Sequence, residues 1–233
     1  MNAVLGMDTS ERTAGVAVVV DGAVRSEAVE ASGPRQSRRI LVLVEATLAT
    51  AGVGRGDLVA LAVTAGPGAF TGVRVGVATA KGLAVALGIP VVGVSSLEAL
   101  AGRAGPWPGL VVPVLDAKKR QVYAGAWDGE TGRRVLDEAA WDPPGLGRAL
   151  AETGRPVLAL GAGVSPYREA LRLCLGDRYH EAPGDLWTVP PARVALLGWQ
   201  RWRAGSAEPP DALTPRYLRR SEAEERRAER LGG

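Results

Sequence analysis

The stretch Gly66-Pro67-Gly68-Ala69-Phe70-Thr71-Gly72-Val73-Arg74-Val75-Gly76, continuing through Ala78-Thr79-Ala80-Lys81-Gly82-Leu83-Ala84 to Gly88, reads as a loop feeding a helix. One apolar run, Leu58 to Val63, stands before it and another, Ile89 to Val94, after it. Both have the length and β-branching of buried strands. Strand, helix and strand in that order make a βαβ crossover, so the fold class is α/β.

Within the helix, Gly72, Gly76, Ala80, Ala84 and Gly88 recur at every fourth position and form one stripe. A glycine inside a helix costs about 0.8–1 kcal/mol against alanine, so Gly72, Gly76 and Gly82 imply a contact that a side chain would block. Two neighbours could supply it: the chain's own sheet, or another molecule. The rest of the turn carries Val73, Val75, Val77, Leu83, Val85 and Leu87, with Arg74, Thr79 and Lys81 as the polar positions. A helix apolar nearly all round is usually covered on more than one side. The expectation is therefore a second, intermolecular neighbour.

Upstream, Val4 to Asp8 and Gly15 to Val20 read as strands, and Asp21-Gly22 is a hairpin turn leading into a third, Ala23 to Val29. Ser37 is expected to cap a helix through Ile40, Leu41, Leu43, Val44 and Leu48 that ends at Gly52. Downstream, Ser95 to Leu100 starts a helix, and Gly105 to Gly109 is a loop. The pattern then begins again: strands Leu110 to Asp116, Gln121 to Trp127 and Arg133 to Leu136, a helix near Leu146 to Leu150, strand Pro156 to Leu160, loop Gly161-Ala162-Gly163 and helix Tyr167 to Leu175. The order βββαβα occurs twice, as two related lobes would give. The expected boundaries are 1–104 for the first lobe and 105–207 for the second, which would include a helix from Ala192 to Trp202. Residues 208–233 read as a charged tail, whose run from Pro215 to Arg227, with Glu222 and Arg226 spaced for an i,i+4 pair, is expected to be a solvated or frayed helix, the alternative being that it docks on a partner.

The 233 residues are 46% hydrophobic and 23% charged, ordinary values for a globular chain long enough to bury a real core. The N-terminus has no basic region or cleavage site, and no apolar run reaches the ~20 residues of a spanning helix, so the expected location is cytoplasmic with no membrane partner. A net charge of +3, carried far more by arginine than by lysine, does not by itself make a nucleic-acid footprint. The single cysteine, Cys174, has no disulfide partner, and the single histidine, His180, leaves it without an evident base.

Two strands ending in Asp8 and Asp116 could present paired carboxylates to a magnesium ion at a cleft between lobes, as in an ATP-dependent kinase or ATPase of the actin, sugar-kinase and Hsp70 superfamily. Against this, Asp116 is followed by Ala117-Lys118-Lys119-Arg120, where backbone amides approaching phosphate need glycine. Gly161-Ala162-Gly163 before a helix could receive a phosphate, but a strand-to-helix turn explains it equally well. Gly66-Pro67-Gly68 lacks the Lys-Ser/Thr of a Walker loop, and there is no HExxH or GxSxG.

Asp8-Thr9-Ser10, the Gly66 to Gly76 segment with Ala80-Lys81-Gly82-Leu83-Ala84, Gly93-Val94-Ser95-Ser96-Leu97, Leu115-Asp116-Ala117, Val122-Tyr123 and Pro215-Arg216-Tyr217-Leu218-Arg219 together resemble the TsaB (YeaZ) family over essentially the whole chain. Serine is commoner in that family where Ala69 stands. The resemblance implies two RNase H-like lobes of the actin/Hsp70/sugar-kinase (ASKHA) superfold. It also implies a non-catalytic role, without cofactor, in N6-threonylcarbamoylation of adenosine 37 in tRNAs reading ANN codons. The partners implied are the paralogous TsaD-type transferase and a TsaE-type ATPase, with homodimerisation in isolation and tRNA reached only through the complex. Where TsaD carries two metal-binding histidines this chain has Ser96 and Leu100, and Val189-Pro190-Pro191-Ala192 aligns where TsaD has an aspartate ligand. Carried over, the dimerisation surface lies on the first two helices, at Ile40, Val44, Gly72, Val73, Gly76, Val77 and Ala80. On that reading Gly76→Leu, or a charge at Val73 or Val77, removes partner binding and leaves the monomer folded.

Overall fold

A computed structural model describes residues 1–31 and 36–219. The first five-stranded sheet is built from β1 (Ala3–Asp8), β2 (Thr13–Val20), β3 (Ala23–Ala31), β4 (Leu58–Gly66) and β5 (Val91–Ser95), in the order β3-β2-β1-β4-β5. β1, β2 and β3 are antiparallel neighbours, and β4 and β5 run parallel to β1. β1, β2 and β4 are nearly continuous apolar runs because helices cover both faces of the sheet. β3, at the edge, alternates exposed and half-buried positions. Asp21 and Gly22, with φ of 50° and 85°, make the tight β2–β3 turn, a conformation that favours glycine and tolerates aspartate.

The second sheet repeats the plan with β6 (Leu110–Lys118), β7 (Gln121–Asp128), β8 (Arg134–Trp141), β9 (Val157–Leu160) and β10 (Tyr179–Glu181), in the order β10-β9-β6-β7-β8. Again the first three strands are antiparallel, and β9 and β10 are parallel to β6 and to each other. The duplicated topology expected from the sequence is present, as two lobes of the ASKHA type.

On the outer face of the first sheet lie α1 (Gln36–Ala51) and α2 (Phe70–Leu87), with Ile40, Val44, Val73 and Val77 packed on Leu5, Met7, Leu61 and Val63. α1 begins at Gln36, so Ser37 stands inside its first turn. α2 ends at Gly88, whose φ of 66° places its amide on the carbonyls of Ala84 and Val85. α2 is long and apolar enough, by composition, to cross a membrane, yet its Gly72–Ala84 stripe is seated on the sheet. The outer face of the second sheet carries α4 (Pro143–Glu152) and α5 (Val164–Leu175). Asp142 caps α4 by accepting from the Gly145 amide at 2.8 Å.

Between the sheets lie α3 (Ser96–Ala101) and α6 (Pro191–Arg203), and one apolar cluster joins Val4, Ala62, Leu97, Leu100, Leu115 and Leu197. α6 packs on β1, β2 and β4, the first sheet, although the expected boundaries assign it to residues 105–207. Gly6 and Gly198 make this possible: a Cβ at either would run into Ala195 or Ala62. The chain therefore returns to the lobe in which it began.

Residues 208–219, the first part of the charged tail, are docked on the chain itself, including Pro215 to Arg219, which were expected to be solvated. Val91 and Glu208 exchange backbone hydrogen bonds at 2.8 Å, which pairs the outer edge of β5. Leu213 is buried in the outer core of the first sheet, and Lys81 Nζ donates to the Asp211 and Leu213 carbonyls. The Arg216 amide donates to the Ala65 carbonyl at 2.6 Å, and Arg216 Nη1 lies 2.8 Å from Glu138 Oε2, a buried carboxylate of the second lobe. Tyr217 stacks on Phe70 and accepts a hydrogen bond from Arg74 Nε, and Arg219 donates to the Ala117 carbonyl. This strap crosses from one lobe to the other. The expected Glu222–Arg226 pair lies outside the described residues.

Candidate functional site

The Gly66 loop and the Asp8-Thr9-Ser10 turn form one unit. Asp8 Oδ1 accepts from Ser10 Oγ (2.6 Å), Thr64 Oγ1 (2.7 Å) and the Ser10 amide (3.1 Å). Asp8, Thr9 and Ser10 are all buried. Burial pushes the Asp8 carboxyl up, and the hydrogen bonds from Ser10 and Thr64 only partly offset it. The Ala69 amide donates to the Ser10 carbonyl and Thr9 Oγ1 donates to the Gly72 carbonyl, each at 2.7 Å, so the first turn of α2 is held by the β1–β2 turn.

This arrangement explains the glycine stripe. A Cβ at Gly68 would lie 2.9 Å from the Ser10 side chain, one at Gly72 would overlap the Thr9 carbonyl oxygen, and one at Gly76 would overlap Thr9 Oγ1. The neighbour of Gly72 and Gly76 is thus the chain's own turn. All seven positions expected at an interface, Ile40, Val44, Gly72, Val73, Gly76, Val77 and Ala80, are buried against the first sheet. This corrects the expectation that they face a partner, and with it the expectation that Gly76→Leu leaves the monomer folded.

The opposite faces of the same helices are open. Leu41 and Val42 on α1 are 44% and 68% exposed, and Val85 on α2 is 70% exposed, with Ala78, Gly82 and Ala86 exposed beside it. A Cβ at Gly82 would meet nothing within 4 Å, so Gly82 answers to no close packing within the described chain. Its place off the stripe of Gly72, Gly76, Ala80 and Ala84 is the signal that could have pointed to this face.

Asp8 and Asp116 do not form a free carboxylate pair. Asp116 Oδ2 is 2.6 Å from Lys118 Nζ, and its Oδ1 accepts from the Lys118 amide. Burial pushes the Asp116 carboxyl up, but the bonds to Lys118 and the charges of Lys118 and Arg12 outweigh it and hold it below the ordinary value. Glu11 lies near Asp8 and accepts from the Val189 amide; burial and the Asp8 charge push it up to about 7.

The Gly161-Ala162-Gly163 loop is filled by the end of β6. The Gly163 amide donates to the Val114 carbonyl at 2.9 Å, and a Cβ at Gly163 would stand 2.9 Å from the Leu115 carbonyl carbon. Gly161, at φ 111°, is crowded by Leu100. These glycines serve a tight strand-to-helix turn.

Ser96, Leu100 and Val189 are buried, Leu100 in the apolar core between the sheets. Their side chains offer at most a hydroxyl, where a metal needs imidazole, thiolate or carboxylate. Among the described residues no cluster of three or more His, Cys, Asp or Glu could hold a metal ion. His180 is exposed and packs edge-on to Trp107, at 5.4 Å between ring centroids.

Residues 30–145 match the family model of TsaD, the tRNA N6-adenosine threonylcarbamoyltransferase. The tRNA threonylcarbamoyladenosine biosynthesis protein TsaB of Bacillus subtilis is 34% identical over 95% of this chain and 96% of its own length. Escherichia coli TsaB is 36% identical over 57% of this chain and 62% of its own. A Pseudomonas aeruginosa structure described as similar to peptidase YEAZ superposes with a TM-score of 0.82 at 29% identity, covering 94% of this chain and all of that one. A hexokinase of the ROK type from Thermus thermophilus shares the fold, with a TM-score of 0.53 at 16% identity. With identity to B. subtilis TsaB running end to end, and with the same two-lobed architecture as YeaZ, this chain belongs to the TsaB family.

Proposed function

We propose that this chain is a non-catalytic subunit for N6-threonylcarbamoylation of adenosine 37 in tRNAs reading ANN codons, and that it binds and activates a TsaD-type transferase. The observation that supports it best is the outward face of α1 and α2. Leu41, Val42 and Val85 are large apolar side chains left exposed on two adjacent helices, and Gly82 leaves room for a close backbone approach. A paralogue of the same fold would bring an equivalent helix pair to that face. A second copy of this chain would bring the identical pair, giving an isologous homodimer in isolation. A TsaE-type ATPase joins the pair in the same reading.

The other side of the case is chemical. Asp8 holds a turn, Asp116 is neutralised by Lys118, and Gly161 and Gly163 pack on β6, so these groups are occupied with structure. An ATP-dependent kinase would instead need them facing a nucleotide. Calorimetry with ATP and magnesium on the isolated chain separates the two readings: turnover supports the kinase.

The docking face is tested by Val85→Glu and Val42→Glu, scored by co-purification with the transferase and by circular dichroism. The expected result is loss of co-purification by at least tenfold with an unchanged unfolding curve. Undiminished binding by both variants overturns this placement.

A further inference from the structure

The helix α3 ends on a glycine whose backbone does not need one. Gly88, at the end of α2, has φ of 66°, the left-handed conformation that favours glycine, whereas Gly102, at the end of α3, has φ of −66° and ψ of −5°, which any residue adopts. What Gly102 provides is room. A Cβ there would overlap Arg193 Nε and stand 2.9 Å from Arg193 Cζ, so the guanidinium of Arg193 rests on the backbone of the residue that precedes Arg103.

Neither arginine has a carboxylate. Among the described residues Arg193 makes no side-chain hydrogen bond or ion pair, and Arg103 makes one hydrogen bond, from Nη2 to the Asp185 carbonyl at 2.8 Å. The Nε of each is buried without a partner, and both residues are half-buried. The carboxylates that reach these elements are spent elsewhere: Glu27 accepts from the Ala192 amide, Glu11 accepts from the Val189 amide, and Glu98 pairs with Arg201. Arg193 is also the third residue of α6, where the helix dipole disfavours a cation. A charge withdrawn from water is ordinarily paired, because leaving it alone is costly. Here two stand at adjoining positions, and a glycine is kept to admit one of them.

We infer that Arg103 and Arg193 form a binding site for a phosphoryl group, carried by a small phosphate monoester or free as inorganic phosphate. The charge decides the class: a phosphoryl group brings about −1.5 to −2 at pH 7, which matches two guanidinium ions, whereas one carboxylate would leave a cation uncompensated. The planar fork of arginine suits bidentate contact with such an oxyanion. The inference is independent of the docking face on α1 and α2 and of the proposed activation of the transferase.

The test is thermal melting of the full chain with inorganic phosphate or with glycerol 3-phosphate, each balanced with sodium chloride to constant ionic strength. Wild type is expected to melt higher with either, along a saturable curve. A preference between the two probes tells whether the group arrives esterified or free, and supports the site in both cases. Arg193→Gln is expected to weaken the phosphate dependence by about tenfold or more. In phosphate-free buffer it is expected to melt no lower than wild type, since it removes a cation that has no partner. Gly102→Ala keeps both charges and a permitted backbone but displaces the Arg193 head, and is expected to weaken phosphate binding to a similar degree. Arg148→Gln removes an exposed arginine on α4 and is expected to leave the dependence unchanged. Equal dependence in all three variants overturns the inference, because the ions would then act on the whole surface. So does an Arg193→Gln variant that melts well below wild type in phosphate-free buffer, which would make Arg193 a packing residue. Absence of any phosphate effect on wild type overturns it too; if Arg193→Gln then loses co-purification with the transferase, the two arginines belong to an acidic protein surface instead.

Discussion

Gly72→Ala and Gly82→Ala are the same chemical change in the same helix, and the structure sets them in opposite directions. At Gly72 the new methyl overlaps the Thr9 carbonyl oxygen, which is backbone and cannot rotate away. Relieving it by displacing α2 or the turn is overpacking, at about 1–3 kcal/mol. It also strains the Thr9 Oγ1 to Gly72 carbonyl bond, whose net worth is about 0.5–1.5 kcal/mol. Against that, alanine gains about 0.8–1 kcal/mol of helix propensity, so the net loss is about 1–3 kcal/mol. At Gly82 nothing lies within 4 Å and the propensity gain stands alone. For a chain of this size about 2–4 °C of melting temperature accompanies each kcal/mol. Gly72→Ala should therefore melt about 3–10 °C below wild type, and Gly82→Ala about 2–4 °C above it. Circular dichroism melts of the isolated chain read both. Because propensity cancels between them, equal shifts would refute the claim that the glycine stripe exists to seat α2 on the Asp8-Thr9-Ser10 turn.

Leu213→Ala, in the strap's buried anchor, should cost about 2–5 kcal/mol in urea unfolding, whereas a solvated tail would tolerate it. Arg216→Ala leaves the Glu138 carboxylate buried without its cation and should destabilise by about 3 kcal/mol; Arg216→Lys should recover part of it in the same assay. Glu11 has a folded pKa of about 7, raised from 4.5, so its contribution is fully present below about pH 4.5 and is lost as pH rises through 7. Glu11→Gln should accordingly gain on wild type between pH 5 and 8, by at most about 3 kcal/mol, in denaturant melts run at both pH values. A constant difference across that range would contradict the half-buried placement of Glu11 beside Asp8.

The strands of both lobes and the Asp21-Gly22 turn were legible because apolar runs and turn chemistry are local. The repeated βββαβα order carried the fold class for the same reason. The direction of α2 was not legible: Val73 and Val77 on one face and Val75 and Val85 on the other are equally apolar. Only the tertiary position of Thr9 decides which face is covered, and it lies 63 residues from Gly72 in sequence. The strap escaped because an extended segment has no period, and Pro215-Arg216-Tyr217 reads as polar until Glu138, Ala65 and Phe70 are seen around it. α6 was found as a helix but given to the wrong lobe, since its fit depends on Gly6, distant in sequence. Asp8 reads as one of two carboxylates for a magnesium ion because a sequence cannot tell a carboxylate offered to a ligand from one closed over by Ser10 and Thr64.

The central claim is tested most directly by threonine-dependent modification of a tRNA transcript, with threonylcarbamoyl-AMP and the ATPase supplied. The TsaD-type transferase is assayed without this chain, with it, and with its Val85→Glu form, and the chain is assayed without the transferase. The expected result is modification with the wild-type pair, near-background levels with Val85→Glu, and none from this chain without the transferase. Threonylcarbamoyl transfer by this chain without the transferase, or full activation by a folded Val85→Glu variant, would contradict it.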